Sequence, residues 1–235
     1  MFDPDLLGPL LDGARVTAQV TVLAALLGTG LSILSGISSL SPWWPLRAVS
    51  RVYVDFFRGT SAIVQLFWVF FALPLVGVSF SPLTAGFVTL GLNMGSYGSE
   101  VVRGAIQAVP RGQWEVSTAL NLSALHRMRY VIFPQAIRAM LPPYGNLLIE
   151  LLKGTALVSL ITLSDLTFEA QKLRVNGTAS TTTIFSAVLV MYFIMALFIT
   201  AGIRTAERYF SRGVATRQQS MWPAPLRAFL ERLRP

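Results

Sequence analysis

Three polar side chains recur at helical spacing inside an otherwise apolar run: Asn146, Glu150 and Lys153. At about 100° per residue they fall within roughly 60° of one another on a helix. A second run carries Asn93, Ser96 and Glu100 on a similar stripe, with Arg103 beyond them. Ionisable groups in a segment apolar enough for a bilayer are costly and face protein or water. Two such stripes on neighbouring helices suggest a shared wet interior, and one acid with one base would suit a zwitterion. An ion pair that only fixes helix packing, Glu150 with Lys153 or Lys153 with Glu100, fits the same residues. For Arg103 the simpler reading is a long basic side chain snorkelling to the interface.

This chemistry is binding rather than catalysis. The 235 residues contain no cysteine and a single histidine, His126, too few for a thiolate or histidine metal site or a catalytic dyad. Neither Lys153 nor Lys172 follows glycine, so the Gly-Lys-Ser/Thr of a phosphate loop is missing. No catalytic residue and no metal or cofactor bound by this chain are expected.

The elements that must hold those stripes are membrane helices. The chain is 53% hydrophobic and 13% charged, with mean hydropathy +0.59, whereas a soluble domain carries about 25% charged residues. A span needs roughly 20 mainly apolar residues, and five segments qualify: 16–38, 59–76, 83–102, 141–163 and 182–203. Pro74, Gly77 and Pro82 mark the turn between the second and third. The expected fold is all-α and polytopic, with a transmembrane domain over 1–210 and a basic tail over 211–235. The N-terminus MFDPDLLGPLLDGAR lacks a basic n-region, so no cleavable signal is expected.

Basic residues set the orientation. Fifteen of them, including Arg47, Arg51, Arg58, those of the 103–138 segment and those of the tail, fall on one side, against Arg15, Lys172 and Arg174 on the other. The 103–138 loop and the C-terminus are expected in the cytoplasm, and the N-terminus outside. The net charge of +8 thus reads as positive-inside bias and tail contact with anionic lipid, not as nucleic-acid binding.

Within the loop, GQWEVSTALN reads as a short helix, Asn121 as a left-handed residue closing it, and Ser123 as the cap of a second short helix. Pattern alone does not separate an amphipathic interfacial element from a docking element. The segment resembles the EAA loop of ABC-importer permeases. VYVDFFRGTSAIVQLFWVFFALP, SYGSEVVRGAIQAVPRGQWE and FPQAIRAMLPPYGNLLIELLKGTALVSLI resemble the polar amino-acid uptake subfamily over roughly residues 12–210. ALNLS with LLIELLKGTALVSLITLSDLTFEAQ is most similar to the C-type permease of ectoine/hydroxyectoine importers. Departures are Glu115-Val116-Ser117 for Glu-Ala-Ala, Asn121 for glycine, and Gly154 after the lysine.

The resemblance implies a type I ABC importer permease of the bacterial inner membrane, with the loop as coupling helix. Gln113, Trp114, Glu115, Ser117, Ala119, Leu120 and Asn121 would couple to the ATPase, and Asn93, Ser96, Glu100, Asn146, Glu150 and Lys153 would line the substrate path. The implied partners are a dimer of ATPase subunits that bind ATP and Mg, a second homologous permease, membrane lipid and a solute-binding protein. Asp165, Glu169, Lys172 and Arg174 could face the last of these or form a solvated loop. Tyr53 and Asp55 before Arg58 read as interfacial anchor and local pair, the Phe67, Trp68, Phe70 and Phe71 cluster as lipid-facing or packing surface, and Gly28, Gly30 and Gly36 as packing. The rival is an ion-coupled secondary transporter or channel, which would leave the polar loop without a role.

Overall fold

The computed structural model describes residues 4–211, and every element in it is helical. The basic tail beyond Ser211 lies outside the described residues. Helix α1 (Pro4–Ser38) has 35 residues, a length of about 52 Å, against about 30 Å for a bilayer's hydrocarbon. The surplus is used at one end of the bundle. There Leu6 and Leu10 pack with Leu166, Ala170, Leu173, Ile184, Ala187 and Val188, contributed by α8 (Leu166–Val175) and α9 (Thr181–Ser211).

The rest of α1 lies against α4 (Pro82–Gln107), which runs through the middle of the bundle. Small residues allow this closeness. A Cβ on Gly28 would meet the Gly91 carbonyl oxygen at 3.0 Å, and one on Gly36 would meet Val102 Cβ at 2.7 Å. Gly30 has nothing within 4 Å, so the packing role expected for it does not hold. Because α4 is enclosed by other helices, it tolerates buried Thr89, Ser96 and Ser99 and need not be apolar all round. Three helical runs are long and apolar enough to cross a membrane: Leu6–Ser38, Ala124–Ile161 and Thr181–Phe210.

The expected single span over 59–76 is the second half of a broken segment. Helix α2 (Trp44–Gly59) ends, and the chain turns by 102° before α3 (Ala62–Phe67). Counted as one crossing, this bent pair makes a fourth. Gly59, Thr60 and Ser61 explain the break: glycine weakens the helix, and the Thr60 hydroxyl bonds back to the Phe56 carbonyl at 2.7 Å. Beyond α3, a π turn (Trp68–Ala72) and a 3-10 turn (Leu73–Val76) lead to Gly77, whose φ of +86° reverses the chain. Trp68 and Phe71 are exposed there, whereas Phe70 packs on the core.

After α5 (Arg111–Ala119) the expected second helix begins at its Ser123 cap, but it is not a separate short element. Helix α6 (Ala124–His126) passes through a π turn (Arg127–Ile132) into α7 (Phe133–Gly154), which closes in a 3-10 turn (Thr155–Ile161). The run from Ala124 to Ile161 is 38 residues long, so the expected boundary at 141 falls in mid-helix. The expected loop over 103–138 is correspondingly shorter, since α4 continues to Gln107.

Candidate functional site

The break between α2 and α3 leaves carbonyl groups without helical partners. Two amides satisfy them: Gln65 Nε2 donates to the carbonyls of Phe57 at 3.0 Å and Thr60 at 3.3 Å, and Asn93 Nδ2 donates to Phe57 O at 3.1 Å and Gln65 Oε1 at 3.3 Å. Beside this knot is a cavity of about 220 Å³, walled by Ala62 of α3, Asn93 and Tyr97 of α4, and Glu150 and Gly154 of α7. Leu90, Met94, Leu147, Leu151 and Leu157 complete it. The arrangement is apolar wall with a few polar groups, as suits a small solute.

Of the six path residues expected from sequence, the structure brings Asn93 and Glu150 together here. Ser96 is fully buried, and its hydroxyl donates to the Asn93 carbonyl at 2.6 Å. Glu100 lies further along α4, where it accepts from Arg103 Nε at 3.2 Å. Arg103 is thus paired rather than simply reaching for the interface. Asn146 faces a separate hollow between α7 and α9, with Thr200, Arg204 and Glu207. Lys153 is exposed and forms no ion pair among the described residues, so neither pairing considered for it occurs.

Sequence reasoning passed over Gln65 and Tyr97, and read Arg58 only as an orienting charge and a local partner of Asp55. Gln65 was hidden inside a charge-free run, although a lone amide there is itself a sign of a satisfied break. Tyr53 does not act as an interfacial anchor: its hydroxyl donates to the Leu92 carbonyl at 2.6 Å, pinning α2 to α4. Among the described residues, no ion pair joins Asp55 to Arg58.

The second surface is at the opposite end from the α1–α8–α9 cap. Helix α5 is held by Trp114, which packs on the cluster of Ile106, Val109 and Ile132, and by Arg127, whose guanidinium lies 5.7 Å from the Trp114 ring centre and donates to Thr118 Oγ1 at 2.7 Å. Ser117 is 2% exposed and bonds to the Trp114 carbonyl. Trp114 and Ser117 therefore set the helix in place, while Gln113, Glu115, Val116, Ala119, Leu120 and Asn121 face outward. Asn121 has φ +55°, the left-handed turn anticipated for it. Ser123 caps the following helix, its hydroxyl accepting from His126 N.

At the capped end, Asp165 is buried and accepts from the backbone N–H groups of Thr167 at 3.2 Å and Phe168 at 2.9 Å. Burial pushes its carboxyl up to about 6, against the opposing pull of those hydrogen bonds. Glu169 is 8% exposed and takes Lys172 Nζ at 3.4 Å. Only Lys172 and Arg174 of this group project outward.

A protein with these two surfaces, a solute-sized cavity among broken helices and an exposed short helix at one end, is a membrane permease rather than an enzyme. Residues 28–214 match the family of binding-protein-dependent transport system inner membrane components, and the chain belongs to it. It is 47% identical over 214 residues to a probable amino-acid ABC transporter permease of Sinorhizobium fredii, covering 88% of this chain and 90% of that one. It is 36% identical over 201 residues to the glutamine transport system permease of Escherichia coli, covering 85% and 91%. The L-cystine permease of Bacillus subtilis is 33% identical over 208 residues, covering 88% and 89%. Among solved structures, an amino acid ABC transporter crystallised with histidines superposes with a TM-score of 0.78 at 31% identity, over 88% of this chain and all of that one. The fold is that of a type I ABC importer permease, a multi-pass inner-membrane subunit without a cofactor of its own. Nucleotide is handled by a separate ATPase subunit.

Proposed function

We propose that this subunit forms half of an ATP-driven import path for a small zwitterionic solute, with an amino acid as the substrate class. The meeting of Asn93 and Glu150 in one cavity beside the α2–α3 break carries this reading. Discontinuous helices near the midplane are where transporters bind solutes. The Glu150 carboxylate would take the solute's ammonium group and the Asn93 amide would hold its orientation. The substrates named for the relatives favour an amino acid; ectoine and hydroxyectoine, suggested by the finer sequence resemblance, belong in the same screen.

Counting α4 and the bent pair as crossings would put the two termini on opposite sides, and the excess of basic residues on the α5 side supports a cytoplasmic coupling surface with the N-terminus outside. A second homologous permease, preferentially a different chain, would complete the path. An ATPase dimer would dock on the outward side of α5, and a solute-binding protein would deliver solute at the Lys172 and Arg174 end. The test is transport by the complete importer in proteoliposomes. Uptake should require ATP and be insensitive to an imposed ion gradient, and Glu150→Gln should abolish solute-stimulated ATP hydrolysis while leaving assembly intact. Uptake driven by an ion gradient without ATP would sink the reading.

A further inference from the structure

The cavity between α3, α4 and α7 has one wall position without a side chain. Gly154 stands there, at the last residue of α7. A helical glycine weakens its helix relative to alanine, so its place here calls for a reason. The usual reasons fail. Its φ of −65° and ψ of −22° are right-handed helix, open to any residue. No neighbouring element of this subunit comes close, since a Cβ built on Gly154 meets nothing within 4 Å among the described residues. What the glycine leaves is room inside the cavity.

The polar groups around that room are few. Glu150 is exposed and forms no ion pair among the described residues. Both N–H groups of the Asn93 amide are taken, by Phe57 O and Gln65 Oε1, so that side chain has only its oxygen to offer. The Tyr97 hydroxyl is then the one free side-chain donor on the walls, and no lysine or arginine among the described residues lines the space. Ala62, three of the leucines and Met94 supply most of the remainder.

We infer that Gly154 is the specificity-determining residue of this cavity: the space its side chain would fill takes the side group of the solute, and that side group is uncharged and apolar. The inference rests on the proposed solute cavity. There Glu150 takes the solute's ammonium group and the Tyr97 hydroxyl its carboxylate. A second carboxylate on the solute would find no donor, and a second ammonium no further counter-charge, so either would be desolvated without a partner. An aliphatic side group meets the leucines and Met94 at no such cost. The competing account is that the second permease packs on Gly154, as small residues allow between membrane helices.

The chain has no cysteine, so Gly154→Cys puts a thiol unique to this subunit into the space. The complete importer is purified in detergent without its binding protein, which removes that protein's own selectivity. A thiol reagent is added, and labelling of this subunit is timed by mass. The thiol should react, and L-leucine or L-methionine at about 20 mM should slow it by about 5-fold or more, as occupancy at several times Kd does. L-glutamate and L-arginine at the same concentration should leave the rate unchanged. Gly154→Ala should keep the second permease bound and melt no lower than wild type. A thiol that stays unreactive in the assembled importer, or loss of the second permease from Gly154→Ala, would mean that the glycine serves packing and would overturn the inference. Equal protection by L-glutamate, L-arginine and L-leucine would overturn it too. Leu157→Cys, on another wall of the same cavity, separates this failure from that of the cavity itself. Protection at position 157 with none at 154 would keep the solute cavity and remove the role of Gly154, whereas protection at neither would remove both.

Discussion

The side-chain amide of Asn93 donates to the main-chain carbonyl of Phe57, 36 residues earlier in the chain, at 3.1 Å. A residue expected to touch solute thus also closes the broken end of α2. Asn93→Leu is expected to do two things: abolish transport, and destabilise the subunit by about 1–3 kcal/mol through a carbonyl left unsatisfied. Gln65→Leu removes the other amide and should destabilise similarly while sparing Glu150. Thermal unfolding in detergent, read beside solute-stimulated ATPase activity, checks both. A fully stable Asn93→Leu would mean that water replaces the amide at the break.

The outward side of α5 carries Glu115, and its closing turn carries Asn121 at φ +55°. Glu115→Arg should weaken ATPase co-purification several-fold without changing membrane insertion. Asn121→Gly should be tolerated, whereas Asn121→Val should cost about 1–2 kcal/mol at a left-handed position and uncouple ATP hydrolysis from solute. Wild-type ATPase recovery and coupling in Glu115→Arg and Asn121→Val would remove the role assigned to this loop.

Gly36 and Gly30 differ by less than two turns of α1 and should differ sharply in tolerance. A Cβ at Gly36 would lie 2.7 Å from Val102 Cβ, and one at Gly30 meets nothing. Gly36→Ala is expected to push α1 off α4 and lower the melting temperature by several degrees, as a cost of about 1–3 kcal/mol does for overpacking. Gly30→Ala should be neutral. The two variants measured side by side decide whether the α1–α4 contact is as close as described.

Asp165 supplies a pH dependence. Its folded-state carboxyl, held near 6 by burial, binds a proton more tightly than the unfolded group at about 3.9. Between those values the folded state holds the extra proton, so this group's contribution falls as pH rises from about 4 to 6 and is level above that. The loss is at most about 3 kcal/mol. Asp165→Asn keeps an acceptor for the α8 cap and should flatten that slope. Melting temperatures of both proteins from pH 4.5 to 7 give the difference; parallel curves would show that Asp165 is solvated in the folded protein.

Much of this was legible because apolar length and charge placement are local properties. Pro74, Gly77 and Pro82 located the reversal after the second segment, and Asn121 and Ser123 located the turn at α5, since each acts on its own backbone. The stripes on α4 and α7 gave direction but not depth. Asn93 and Asn146 look alike in sequence, yet one meets α3 and the other α9, because the bundle's packing order decides which neighbour each meets. The break after Gly59 was missed because apolar length says nothing about continuity, and Gln65 gains its meaning only from carbonyls in another helix. Trp114 and Ser117 belong to the expected motif, but only the packing of α5 on Ile106 and Ile132 shows that they face inward.

The 38-residue run from Ala124 to Ile161 has one further consequence. It starts beside α5, contributes Glu150 and Gly154 to the cavity beside the α2–α3 break on its way, and ends beneath the cap formed by α1, α8 and α9. At an average of about 1.5 Å per residue across its α, π and 3-10 parts it extends about 57 Å, so a tilt of about 5° of the whole run would displace one end by about 5 Å. That is about one helical turn of travel. One continuous run is thus long enough to cross a membrane by itself, and the cavity beside the α2–α3 break lies along its length rather than at either tip.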